Sequence, residues 1–222
     1  MKQALRFLKL DYITVKPYLM GRTLLIFLLI PVFFMLFTDG GAAVLFFLLG
    51  IGAMFVSYPF SVGEQNGIDA LYATLSIKRE NAVFGRYLFA LCADLIVGLV
   101  AAVFTALTSF LKKTPVDWAE YSAVFGVALA FFTFVQAIQL PLFFRFGYAK
   151  AKLLSVLPFL LVPVVTLSFN FFQERLNGFF ASAGVWITRN PEIAAVLIAG
   201  TWFAAMYISY RASCAVYRKR EF

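Results

Sequence analysis

Histidine is absent from this 222-residue chain, and charge is scarce, with only 14% of residues Asp, Glu, Lys or Arg. The first absence removes histidine metal ligands, Ser-His-Asp triads and imidazole acid–base chemistry. The second leaves too few ionised groups to solvate a globule, in which about a quarter of residues would be charged. Cysteine is nearly missing as well. Cys92 and Cys214 fall inside or near the basic ends of apolar runs, and neither has a CxxC partner. They read as small apolar fillers rather than as a disulfide. No GxxxxGK[ST] phosphate loop is present, so ATP hydrolysis by this chain is not expected. No metal site, paired intramembrane carboxylates or nucleophile motif supports catalysis either.

What the chain has instead is apolar length. Hydrophobic residues make up 63%, Phe alone contributes 28 residues, and mean hydropathy is +0.88. A helix needs about 20 residues to cross roughly 30 Å of hydrocarbon. Six stretches qualify: 19–37, 41–62, 87–111, 121–144, 153–172 and 193–210. The first is short unless Arg22 snorkels to the headgroups. No polar stretch is long enough to form a core of its own, so a single membrane domain over 1–222 is expected. A cleaved signal peptide is not expected, because a charged segment precedes the first apolar run. The reading is therefore an all-α polytopic membrane protein with six spans.

Orientation follows from the basic residues. With six spans, fifteen of the nineteen Lys and Arg fall on the side of the two termini. The other side has Lys112, Lys113, Arg175 and Arg189. Basic connections stay inside, which predicts two cytoplasmic termini in a cell membrane of the bacterial plasma type. The net charge of +8 is then a match for anionic lipid headgroups rather than nucleic acid. Residues 1–18 precede the first span. At 100° per residue, Leu5, Leu8, Tyr12 and Val15 share one arc, and Lys2, Arg6, Lys9 and Lys16 another, with Ile13 misplaced among the bases. This predicts a helix lying in the interface with its apolar side in lipid.

Polar residues inside the spans are few. Asp94 lies about two turns beyond Arg86 in the third span, where a charge costs about 2.5–3.5 kcal/mol unless satisfied. It is a proton or ion site, or a structural carboxyl. A single acid without companions favours the structural role. Gln136, Gln139 and Asn170 are neutral, and either join helices by hydrogen bonds or line a substrate path. Pro31, Pro141, Pro158 and Pro163 predict bends. The connection 173–192 carries Phe179, Phe180 and Trp186, and is expected to dip into the far interface.

The segment from Glu64 to Arg86 is the longest polar stretch on the basic side. Asn66-Gly67 reads as a stop. Ile68, Leu71, Tyr72 and Leu75 then recur at helical spacing. Ser76 to Arg79 form a turn, and Asn81 is placed to cap a helix running into the third span. Such an elbow offers an apolar stripe for a groove on a partner.

At these residues the chain resembles the permease subunits of type-2 ABC transporters. Glu64 opens the connection, Leu71-Tyr72-Ala73-Thr74-Leu75 supplies the apolar helix, Ser76-Ile77-Lys78-Arg79 the turn, and Arg86-Tyr87-Leu88 the start of the third span. The family's usual turn proline is Ser76 here. The resemblance implies a coupling helix at Gly67, Ile68, Asp69, Leu71, Tyr72 and Leu75, flanked by Glu64 and Arg79, that docks on a separate ATP-binding subunit. It implies a smaller second contact at Arg145, Tyr148 and Lys150. No cofactor is then held by this chain; ATP and Mg belong to the partner. A second permease copy or paralogue would complete the path. Small members resemble exporters of peptides. The other function classes are an ion-coupled carrier or channel centred on Asp94, and an accessory membrane subunit of an enzyme complex.

Overall fold

The computed structural model describes residues 2–19, 21, 25, 29, 31–33, 41–67, 79–113, 115–157, 160–161, 164, 185–186 and 189–219. The described residues are helical almost throughout and contain no strand. The elements are α1 (Lys2–Leu19), α2 (Gly41–Phe55), α3 (Tyr58–Gln65), α4 (Arg79–Lys112), α5 (Trp118–Ala151) and α6 (Pro191–Arg218), with a 3-10 turn at Lys152–Val156 after α5. Among the described residues, four helical stretches are long and apolar enough to cross a membrane: Val44–Gln65, Arg79–Lys112, Tyr121–Leu154 and Glu192–Arg218. They coincide with the second, third, fourth and sixth expected spans. Much of the expected spans 19–37 and 153–172, with Asn170 and most of the connection 173–192, lies outside the described residues.

Several boundaries differ from the sequence reading, each for a local reason. The second span is not one rod. It breaks at Val56–Ser57, where the Ser57 hydroxyl donates to the Met54 carbonyl at 2.7 Å and Pro59 sits in the first turn of α3. Proline suits that position because it has no N–H to orphan. α4 begins at Arg79, so Asn81 lies within its first turn and is not its cap. α5 runs seven residues past the expected end, and its non-helical residue is Gly147 (φ 74, ψ 175), not Pro141. Glycine alone adopts that backbone conformation at little cost.

α1 is not simply an interfacial helix with one face in lipid. Its buried residues are Phe7, Asp11 and Val15, spaced by four, and they pack on α3 and α4. Tyr12 and Ile13 are exposed. Of the expected apolar arc, Val15 is buried against protein and Tyr12 is exposed, and the stripe facing protein carries the Asp11 carboxylate at its centre.

Two apolar clusters stack along the bundle. One joins Phe7, Phe60, Val83, Phe143, Phe144 and Tyr217. The other joins Leu45, Leu48, Leu49, Val97, Ala101 and Phe132. Between them, one turn of α5 binds its neighbours through polar groups. Gln136 reaches α4, while Thr133 and Ala137 reach α6. Elsewhere α4 and α6 show broad exposed apolar faces, including Leu99, Val103, Val196 and Phe203. Such surfaces suit lipid tails.

Candidate functional site

Two groups of candidate residues occupy different depths. The first gathers at the end of the bundle where the start of α4 meets the C-terminus of α6. α3 stops with Asn66, whose backbone N–H and side-chain amide both donate to the Val62 carbonyl (3.1 and 2.9 Å), and then Gly67 turns left-handed at φ +63. This is a helix stop of the kind that glycine permits. The sequence reading of Asn66-Gly67 is thus correct. Ile68, Asp69, Leu71, Tyr72 and Leu75 lie outside the described residues. The next described residue is Arg79, whose guanidinium donates to the carbonyls of Tyr217 (3.0 Å) and Arg218 (2.7 Å). Those are orphan acceptors at the C-terminus of α6, where a cation is favoured by the helix dipole. Glu80 pairs with Arg218 beside them. Arg79 is therefore committed to α6.

Glu64 is also committed. Its carboxylate accepts the backbone N–H of Ala149 at 3.0 Å. That bond joins the stop of α3 to the segment carrying the other expected contact. Arg145 is exposed, with its guanidinium 5.0 Å from the Phe146 ring; Tyr148 is half-buried and Lys150 exposed. The structure thus brings Glu64 together with the Arg145–Lys150 segment, and places Arg79 on α6 instead.

The residue before Tyr87 was read as a basic span end facing headgroups. Arg86 is in fact buried. Its guanidinium lies 4.0 Å from the centre of the Phe60 ring, 5.6 Å from that of Phe144, and 3.9 Å from the Asp11 carboxylate. Aromatic faces and one carboxylate thus enclose a desolvated cation. The ion pair is made with α1 and not with Asp94.

The second group is buried deep in the bundle. Since α4 begins at Arg79, Asp94 stands near the middle of its 34 residues, about 22 Å from that end at 1.5 Å per residue. It is fully buried, and the Gln136 amide donates to both of its oxygens at 3.0 and 2.9 Å. Gly52 of α2 closes over it, so that a Cβ there would meet Asp94 Oδ1 at 3.5 Å and Val97 at 3.3 Å. Gln139 does not join this pair; its amide donates to the Leu154 carbonyl. The carbonyl oxygens of both glutamines are buried without a hydrogen-bond partner among the described residues. Gln136 and Asp94 form a clasp between α5 and α4.

A hydroxyl relay escaped the sequence reading. Tyr87 Oη lies 2.5 Å from Ser209 Oγ and 2.9 Å from Ser213 Oγ, and Ser209 Oγ donates to the Ala137 carbonyl at 2.6 Å. Ser209 has one proton and gives it to Ala137, so Tyr87 must donate to Ser209. Ser213 then donates to Tyr87, and each hydroxyl is satisfied. Three helices are joined in series. Two serines four residues apart in an apolar helix were the available signal. Tyr87→Phe is expected to lower the unfolding free energy by about 1 kcal/mol, read as a fall in thermal midpoint in lipid discs. Adding Ser209→Ala is expected to cost less than it does alone, since both changes cut one relay.

A family model described as "ABC-2 family transporter protein" matches residues 7–218. No curated protein and no solved structure matches the chain. The match takes in nearly the whole chain, including every described span, and the chain belongs to the ABC-2 transporter family.

Proposed function

We propose that this ABC-2 permease is the membrane half of an ATP-driven exporter of hydrophobic or amphipathic peptides, worked by a separate ATP-binding subunit. Membership of the family implies such a subunit and a membrane setting. The observation that carries the docking site is the bond between the α3 stop and the turn after Gly147, with the start of α4 anchored nearby on the C-terminus of α6, whose Tyr217 ring packs on Phe144 of α5. The connection between Gly67 and Arg79 leaves from the α3 stop and returns to the start of α4. Its apolar spacing at Ile68, Leu71, Tyr72 and Leu75 suits a groove on the partner. The basic side faces the cytoplasm in this reading, where ATP and Mg are bound by the partner and not by this chain. A second permease copy or paralogue encloses the path, and closure of the partner rocks the spans as rigid bodies. The peptide cargo rests on family likeness and on the abundance of Phe for an adaptable apolar lining.

Coexpression with candidate ATP-binding subunits tests the reading. Copurification of one of them, and a change in its ATPase rate when the permease is present, are the expected results. Leu71→Asp or Leu75→Asp is expected to abolish both while leaving the permease folded. A permease that recovers no such subunit, or recovers it equally well with either aspartate, would overturn the proposal.

A further inference from the structure

We infer that Glu64 splints the break in α5, so that the stop of α3 and the Arg145–Lys150 segment meet the ATP-binding subunit as one surface. The inference rests on the proposed function for its partner, and on described side chains for its geometry.

The break itself creates the need. In an unbroken helix the N–H of Ala149 would donate to the carbonyl four residues back, at Arg145. Gly147 leaves the helical conformation (φ 74, ψ 175), and that N–H is taken up by Glu64 at 3.0 Å instead. An orphaned backbone donor must find an acceptor, and a carboxylate is a strong one. Glu64 is not alone in holding α3 to α5. One turn earlier on the same face, the Phe60 ring stacks on Phe143 (centroids 5.2 Å) and meets the edge of Phe144 (4.9 Å). Residues four apart share a helix face. Phe60 therefore grips α5 before the break, and Glu64 grips it after the break. The grip spans the discontinuity and adds to the apolar contacts that Tyr148 and Ala151 make with the core. Arg145 and Lys150 stay exposed on this surface. That charge fits a partner presenting acidic side chains around its groove.

Glu64→Ala removes the acceptor. Glu64→Gln keeps a carbonyl oxygen at the same reach and should largely rescue it. Hydrogen exchange of the intact permease in lipid discs reads the splint directly. The expected result is about a tenfold faster exchange over residues 147–151 in Glu64→Ala, near-wild-type exchange in Glu64→Gln, and no change in the membrane-buried part of α5. Unchanged exchange at 147–151 in Glu64→Ala would overturn the splint, as would an equal rise along all of α5. In the complex, Glu64→Ala is expected to lower recovery of the ATP-binding subunit severalfold, with rescue by Glu64→Gln. A wild-type permease that recovers no such subunit defeats both the functional reading and the shared surface. Wild-type recovery left undiminished by Glu64→Ala defeats the shared surface alone.

Discussion

Arg86→Met is expected to destabilise the permease by about 3–5 kcal/mol, the largest effect of any single change considered. The reason is what the substitution leaves behind. Asp11 is buried in α1, and the guanidinium 3.9 Å away is a cationic neighbour held against it by the packing of α1 on α4. Methionine fills much of the same volume between Phe60 and Phe144, so the loss is electrostatic rather than a cavity. Asp11→Leu combined with Arg86→Met is expected to recover most of the stability, because a buried pair replaced by apolar groups of similar size is often nearly neutral. Thermal unfolding in lipid discs, with both single variants and the double variant, gives the coupling. If the double variant fell as far as the sum of the singles, the two groups would not be acting on each other. Arg86→Lys is not expected to rescue, since an ammonium presents no flat face to the Phe60 ring.

Asp94→Ala is expected to cost about 1–3 kcal/mol by leaving the Gln136 amide buried without its acceptor. Asp94→Leu combined with Gln136→Leu is expected to be close to neutral, because neither polar group is then stranded. Transport distinguishes the two roles that the sequence left open for Asp94. A clasp between α4 and α5 predicts that the double leucine variant still transports in an ATP-dependent manner. Loss of transport in that variant, with folding intact, would assign Asp94 to ion or proton handling instead.

Much of the helical plan was legible because lysines and arginines bracket long apolar runs. The spans at 87–111, 121–144 and 193–210 all lie within observed helices. Interruptions were less legible. The break before Pro59 sits inside a continuous apolar run, and nothing in hydropathy marks it. Pro141 looked like the bend in α5, yet the helix passes through it and breaks at Gly147, a residue that no apolar pattern singles out. Charges misled in a consistent way. A basic residue near a span end looks like a headgroup anchor, and only the packing of α1 on α4 reveals Arg86 as an interior group. The polar candidates Asp94 and Gln136 were visible as residues. Their pairing was not, because 42 positions separate them and no local spacing rule connects them. Glu64 was visible as the acid that opens the connection, but its acceptor role depends on a backbone N–H that only the turn at Gly147 sets free.

The turn at Gly147 also changes how a push would be transmitted. Force applied at Lys150 cannot travel stiffly up its own backbone, because the rod is severed three residues earlier. The stiffer route runs sideways through one carboxylate into the neighbouring short helix and from there, through a stacked ring, back into α5. A lever of this kind has its fulcrum at Phe60, so shortening or lengthening the arm between residues 60 and 64 by one residue would disengage the drive while leaving both helices intact.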